Sequence, residues 1–153
     1  MKKSIKVLLP LFLLTVFALS ACGSAPAVAT LDGTSWKLVS YGPVATQIPA
    51  VADASASLLF DTNGRMSGNA GCNSYSGDYK AANGQITPGQ MVSTMMACAD
   101  LRMTQEAAVL GVLNGTLKYE IEKDTLRIYS ADGKTMLTFA RQAPAIAYPS
   151  YPG

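Results

Sequence analysis

The sequence predicts an α+β domain that is mainly antiparallel β, a compact curved sheet with one helix packed on it. Three observations carry this. Apolar residues mostly alternate with polar ones, turn signals punctuate the alternation, and a single stretch switches to helical spacing. The 153 residues suit one domain, and 49% apolar against 14% charged side chains excludes a disordered polyelectrolyte or a coiled coil.

The first strand puts Trp36, Leu38 and Ser40 on one face and Lys37, Val39 and Tyr41 on the other. Residues 57–61 follow, turning at Thr62-Asn63-Gly64 into 65–68. Residues 75–80 turn through Ala82-Asn83-Gly84 into 85–87, and 90–94 is a further extended stretch. From 100 to 114 the period changes: Met103, Ala107, Leu110 and Leu113 share a helical face, Asp100 is placed to cap the start, and Asn114-Gly115 ends the helix. Beyond it Leu117, Tyr119 and Ile121 alternate with Lys118, Glu120 and Glu122. Residues 126–129, a turn at Ala131-Asp132-Gly133-Lys134 and 136–141 complete a three-strand meander. No internal repeat is present.

The flanks are of a different kind. Lys2, Lys3 and Lys6 precede a run at 7–19 that is apolar except for Thr15, the layout of a secretory signal. The run is shorter than the roughly 20 residues a membrane-spanning helix needs. Leu19-Ser20-Ala21-Cys22 is similar to the bacterial lipobox, in which cleavage precedes the cysteine and its thiol and new amine are acylated. The expectation is a signal peptide at 1–21 and lipidation at Cys22; the rival is an ordinary signal peptide that leaves Cys22 a free thiol. Each acyl methylene contributes about 0.8 kcal/mol of membrane affinity, so two or three chains anchor the domain. Gly23 rather than Asp follows. That implies the outer membrane, facing the periplasm, in a cell with two membranes, and the outer face of the cell membrane otherwise. Residues 22–30 read as the lipidated cysteine and a flexible tether, 31–142 as the domain, and 143–153, with three prolines, as a disordered tail.

Composition removes several functions. The chain has no His, and so lacks the commonest general base and metal ligand. Setting aside the three leading lysines, the 12 basic groups become nine against 10 acidic, which leaves no basic face for nucleic acid. Serine and threonine nucleophiles lack a histidine base. Glu120 and Glu122 share a strand face, but that face reads as wet, so neither carboxyl has reason to shift. Asp61-Thr62-Asn63-Gly64 resembles the opening of a calcium loop, yet Cys72 stands where a bidentate Glu belongs.

With Cys22 lipidated, Cys72 and Cys98 remain as an even pair in an oxidising compartment, and a bridge between them is the default reading. Closing the chain between them stabilises by roughly 3.5 kcal/mol. Zinc is the rival, but two cysteines without a histidine do not complete its tetrahedron. Met91, Met95, Met96 and Met103 surround Cys98 in sequence; their sulfurs suit Cu(I), but filling an irregular core under the helix is the commoner role. The expectation is no catalytic residue, no cofactor and no metal.

The block Gly68-Asn69-Ala70-Gly71-Cys72-Asn73-Ser74-Tyr75-Ser76-Gly77-Asp78-Tyr79, followed by Ser93-Thr94-Met95-Met96-Ala97-Cys98 and Glu106, resembles the META domain family, which includes the heat-inducible lipoprotein HslJ. Leu31-Asp32-Gly33-Thr34-Ser35-Trp36 at the start, and Leu126-Arg127-Ile128 with Leu137-Thr138-Phe139 at the end, extend the likeness over 31–141. The resemblance implies a barrel-like antiparallel sheet with one helix, likened to the pilot lipoproteins of secretion systems. It implies no established catalysis, and associations with envelope stress and drug tolerance. Read from the residues alone, Gly68, Gly71 and Gly77 allow positive φ or close backbone approach, and Asn73 can bond a turn's backbone. A phosphate-cradling loop is the sharper alternative, with Arg65 as the nearest anion partner, but no Lys-Ser/Thr and no helix follow.

The leading expectation is therefore a non-enzymatic, lipid-anchored module that binds or supports another envelope component, with Asn73, Tyr75, Tyr79, Thr94 and Met95 as candidate binding residues. The alternatives are a carrier of a lipid or hydrophobic ligand, and an inhibitor of an attacking hydrolase acting through loop 46–55. An apolar void beneath the helix favours the carrier; a packed core favours the binding module.

Overall fold

The computed structural model describes residues 30–143. The strands are β1 (Thr34–Pro43), β2 (Ile48–Pro49), β3 (Ser57–Phe60), β4 (Arg65–Asn69), β5 (Ser74–Ala82), β6 (Gln85–Pro88) and β7 (Val92–Ser93), then helix α1 (Asp100–Val112), then β8 (Leu117–Glu122), β9 (Thr125–Tyr129) and β10 (Thr135–Gln142). Every pairing is antiparallel, in the order β10-β9-β8-β6-β5-β4-β3-β1, and β1 also pairs with β10. That last pairing closes an eight-strand barrel and removes the free edges an open sheet would present. β2 adds to the end of β1, and β7 to the start of β5. No helix among the described residues is long and apolar enough to cross a membrane.

A barrel of this size is filled by its own side chains. Trp36, Leu58, Phe60, Met66, Ile86, Leu117, Leu126, Ile128 and Leu137 are fully buried inside it, with Phe139 beside them. The ring of Tyr79 meets Phe60 edge-on at 4.9 Å. The expected meander is present as β8–β9–β10. The first strand departs from simple alternation: the β1–β10 register shifts between Leu38 and Ser40, a bulge that turns Tyr41 inward where strict alternation puts Ser40.

Two glycines of the central block make the barrel narrow enough to pack. A Cβ on Gly68 would stand 2.0 Å from the Ser57 carbonyl oxygen, and one on Gly77 would stand 2.5 Å from the Met91 sulfur and 2.8 Å from the Gln90 carbonyl oxygen. Both are close-approach positions, so the structural reading of the block holds.

The barrel has two unlike ends. Leu31 and the hairpin turns after β3, β5 and β8 lie at the end where β1 begins and β10 finishes, so both chain exits are there. Arg141 closes this end from inside, its guanidinium 4.3 Å above the Trp36 ring and 3.5 Å from Asp124. The opposite end carries the 44–56 and 70–73 loops and α1, whose Val109, Val112 and Leu113 complete the core.

The helix differs from its sequence reading in three ways. Its N-cap is Ala99 with no side-chain cap bond, so Asp100 is the first helical residue and does not cap. It ends at Val112, two residues before Asn114. Its buried face is Gln105, Glu106, Val109 and Val112, whereas Met103 and Ala107 are exposed. The reason is polar: the barrel end supplies hydrogen-bond partners for Gln105 and Glu106, and that outweighs burial of Met103.

Gly68→Ala is expected to lower the urea midpoint, at a cost of about 1–3 kcal/mol or more for an overpacked core site. Gly111→Ala, where nothing lies within 4 Å of the new Cβ, is expected to gain about 0.5–1 kcal/mol of helix stability. Equilibrium urea curves of both variants check this; a neutral Gly68→Ala would contradict the β3–β4 register.

Candidate functional site

The helix end of the barrel is organised by the turn between β4 and β5. Gly71 takes φ +126°, and its missing Cβ admits the side chain of Gln105, whose amide nitrogen would lie 2.5 Å from that carbon. Gln105 donates to the Ala70 carbonyl at 3.1 Å and accepts from the Val51 N–H at 2.7 Å. One helical side chain thus ties together two loops. Arg102 adds an ion pair to Asp53 at 2.7 Å on the surface beside it.

Asn73 is the centre of this end, 2% exposed. Its side-chain amide donates to Glu106 Oε1 at 2.8 Å and to the Met96 carbonyl at 3.1 Å. Its Oδ1 accepts from the Met96 N–H at 2.7 Å and the Thr94 hydroxyl at 2.8 Å. The backbone N–H of Asn73 donates to Glu106 Oε2 at 2.6 Å. Both oxygens of the buried Glu106 are therefore satisfied by donors, without a cation. The adjacent Cys72 is bridged to Cys98, their Cα atoms 5.9 Å apart, so the expected disulfide is present. No group of His, Cys, Asp or Glu able to hold a metal occurs among the described residues.

Residues 94–98 are consequently clamped at three places, and the side chains between the clamps point outward. Met95 is 97% exposed, Met96 57%, and the flanking Val92 and Leu101 are 58% and 70% exposed. This corrects the reading of these methionines as core filler: only Met91 packs against the core, while Met95, Met96 and Met103 face solvent. A shallow groove of about 560 Å³, lined by Ser67, Ser74, Ser76, Val92, Ser93 and Thr94, adjoins them.

The sequence-derived candidates divide accordingly. Asn73, Tyr75 and Tyr79 are buried and use their polar atoms internally, Tyr75 donating to the Ser57 carbonyl at 3.0 Å and Tyr79 to Asp32. Thr94 holds Asn73, and its side chain also accepts from the Ser74 N–H. Met95 alone of the five projects freely. Sequence reasoning missed Gln105, and it had Glu106 only within the family resemblance. The signal was the spacing of Val109, Val112 and Leu113, which marks the inward face one turn after these polar residues.

The other candidates are structural. Asp61 accepts from the N–H groups of Asn63 and Arg65, the hairpin turn expected there, and these bonds hold its carboxyl below the ordinary carboxylate range. Glu120 and Glu122 lie on a wet face, as expected, but each has a cation, Lys118 at 2.8 Å and Arg127 at 3.1 Å. Glu120 does shift: the Lys118 ammonium and the Tyr129 hydroxyl hold its carboxyl below its usual value. Arg65 donates to Ser76 at 3.1 Å. Loop 46–55 is pinned, with Gln47 bonded to the Gly42 and Met136 carbonyls and β2 paired to β1.

Asn73→Ala strips four hydrogen bonds at once and is expected to cost about 2–4 kcal/mol, since Glu106 and the Met96 backbone lose buried partners. Limited proteolysis should then cut within 93–97, where the parent resists. A second outcome concerns alkali. Burial pushes the Tyr75 phenol up, so above the ordinary value of about 10 the folded state keeps a proton that the unfolded chain releases. Stability is intact below that pH and falls as pH rises, and tyrosinate absorbance of Tyr75 should appear only with the unfolding transition. Tyr75→Phe should delay that transition.

Comparison with known proteins follows the same lines. No curated protein matches the chain. Among solved structures it is similar to a protein from Burkholderia xenovorans determined by NMR, at 25% identity and TM-score 0.62, covering 79% of this chain and 97% of that one. A second NMR structure is 21% identical with TM-score 0.58, covering 71% and 88%. A crystal structure of a DUF4847-family protein from Bacteroides vulgatus is 14% identical with TM-score 0.53, covering 72% and 95%. The last two share the fold alone. The META domain family model matches residues 29–143, the whole of the closed barrel with its helix, and the chain belongs to the META domain family.

Proposed function

We propose that this protein is a non-enzymatic, lipid-anchored module of the cell envelope that docks another envelope component through the apolar apex around Met95. The observation that carries this reading is the exposure of Met95, Met96, Val92 and Leu101 on a segment held rigid by Asn73 and the Cys72–Cys98 bridge. An apolar cluster that its own fold holds in solvent fits a partner surface, because docking it costs little further ordering. The filled barrel interior favours docking over carriage of a lipid inside, and the pinned 46–55 loop gives little support to a plug for a hydrolase.

The anchor fits the same reading. Cys22, the signal peptide and most of the tether lie outside the described residues, but the chain enters the barrel at the end opposite the apex. Seven residues, 23–29, separate Cys22 from Thr30 in this reading, a reach of at most about 3.4 Å per residue. Tethering at the entry end would therefore turn the apex away from the anchoring membrane and toward a protein. In a cell with two membranes the site would be the outer membrane, facing the periplasm; in a cell with one, the outer face. The link to envelope stress or drug tolerance rests on the family resemblance.

The test uses the full chain in its own cell, with a photo-crosslinking residue at position 95. Expected is a discrete crosslinked partner that falls at least about tenfold with Met96→Ser/Leu101→Ser, since each apolar side chain buried on docking is worth about 1.5–3 kcal/mol. Cys22→Ser should release the protein to the soluble fraction. Equal crosslinking in parent and variant would end the docking reading.

A further inference from the structure

We infer that Met95 and Met96 form an oxidation site for two-electron oxygen donors such as hypochlorous acid, whose sulfoxides convert the docking apex from apolar to polar. The chemistry rests on exposure and composition alone; its consequence for docking rests on the function proposed above.

Oxidants of this class attack thiols first and thioethers next. Among the described residues no thiol competes, because Cys72 and Cys98 are joined to each other. The chain has no His to compete either, and its single Trp, Trp36, is fully buried. The thioethers are graded by the fold. Met66 is fully buried in the barrel, Met91 and Met136 are half-buried, Met103 is 39% exposed, Met96 57% and Met95 97%. The apex methionines cannot retreat, because the Met96 N–H and carbonyl are both bonded to Asn73 and Thr94 is bonded to the same side chain. An exposed, fixed thioether pair is thus what an incoming oxidant meets.

In the step itself the methionine sulfur gives an electron pair to the oxygen of hypochlorous acid. A sulfur–oxygen bond forms, the oxygen–chlorine bond breaks, and chloride and a proton leave. The sulfur is oxidised by two electrons and the chlorine reduced by two. The product is a polar hydrogen-bond acceptor in place of an apolar side chain, and a sulfoxide reductase drawing on a dithiol reverses it, releasing water. The backbone clamp bonds only main-chain atoms of Met96, so oxidation leaves the fold in place and changes only the surface.

The experiment treats the full-length protein with one to a few equivalents of hypochlorous acid and locates the added oxygen by peptide mass. Met95 and Met96 are expected to oxidise at least about tenfold faster than Met66, with Met103 between them. Retention on an octyl matrix should drop on oxidation of the parent but not of Met95→Leu/Met96→Leu, which stays apolar and carries no thioether there. Oxygen spread evenly over Met66, Met91 and Met136, or unchanged retention of the oxidised parent, would overturn the proposal. Partner crosslinking, with the photo-crosslinking residue moved to position 92 so that both thioethers remain, separates the two readings. If Met96→Ser/Leu101→Ser loses the partner while the oxidised parent keeps it, the switch is wrong and docking stands. If the serine variant keeps the partner, docking is wrong and with it the switch's consequence.

Discussion

Asn73 has two donors and two acceptor sites on its side chain, and all four are occupied by partners from two parts of the chain, the 94–96 segment and α1. No other side chain of this size serves there. Aspartate would set a second carboxyl group against Glu106 and lose both donors; leucine would leave Glu106 Oε1 and the Met96 backbone without partners in a buried site. The network fixes where α1 sits, because Glu106 is helical. It fixes where 94–96 runs, because Met96 is bonded through both backbone groups. The bridge from Cys72, one residue away, adds a covalent tie to the same segment. A conserving substitution is therefore hard to find, and the surface that this end presents follows from one buried amide.

The barrel makes such a hub possible. Eight short strands close on one another only with close backbone approaches, which Gly68 and Gly77 permit. The inside of the closed cylinder is occupied by its own Trp, Phe and Leu side chains, which leaves its outside and its ends as the surfaces it presents. At the entry end Arg141 stacks on Trp36 and Leu31 is buried, which closes it. At the far end closure falls to a helix, and the helix covers the opening with two polar residues among its apolar ones.

Much of this was legible in the sequence. Period-two alternation and Asn-Gly or Asp-Gly turns located nearly all the barrel strands, because half-buried strands must alternate and tight hairpins must use residues that tolerate positive φ, as Asn83, Gly84 and Gly133 do. The short β2 and the bulge in β1 were not legible, since both depend on which strand lies alongside. The helix existed where expected, but its face was read from hydrophobicity alone. Met103 and Ala107 fit an apolar stripe as well as Val109 does; only the presence of Asn73 and Ala70 across the gap makes Glu106 and Gln105 the inward residues. Asn73 and Cys72 were both singled out, yet their role as supports for an exposed Met95 needed the third dimension.

The contrast between Met66 and Met95 carries the functional argument further than any one distance. Both are methionines in the same small domain, one fully buried and one almost fully exposed. Hydrophobicity alone would bury both, and a loose loop would let Met95 settle onto the barrel wall. What prevents it is that its neighbours on either side are spoken for: Thr94 and Met96 each bond Asn73, so the peptide between them is held convex. The free energy that keeps Met95 in water comes from the buried network beneath it, and a partner that covers it recovers the hydrophobic term without having to order the segment. A surface made this way is preorganised, and it stays so as long as the amide of one asparagine and the bridge beside it are intact.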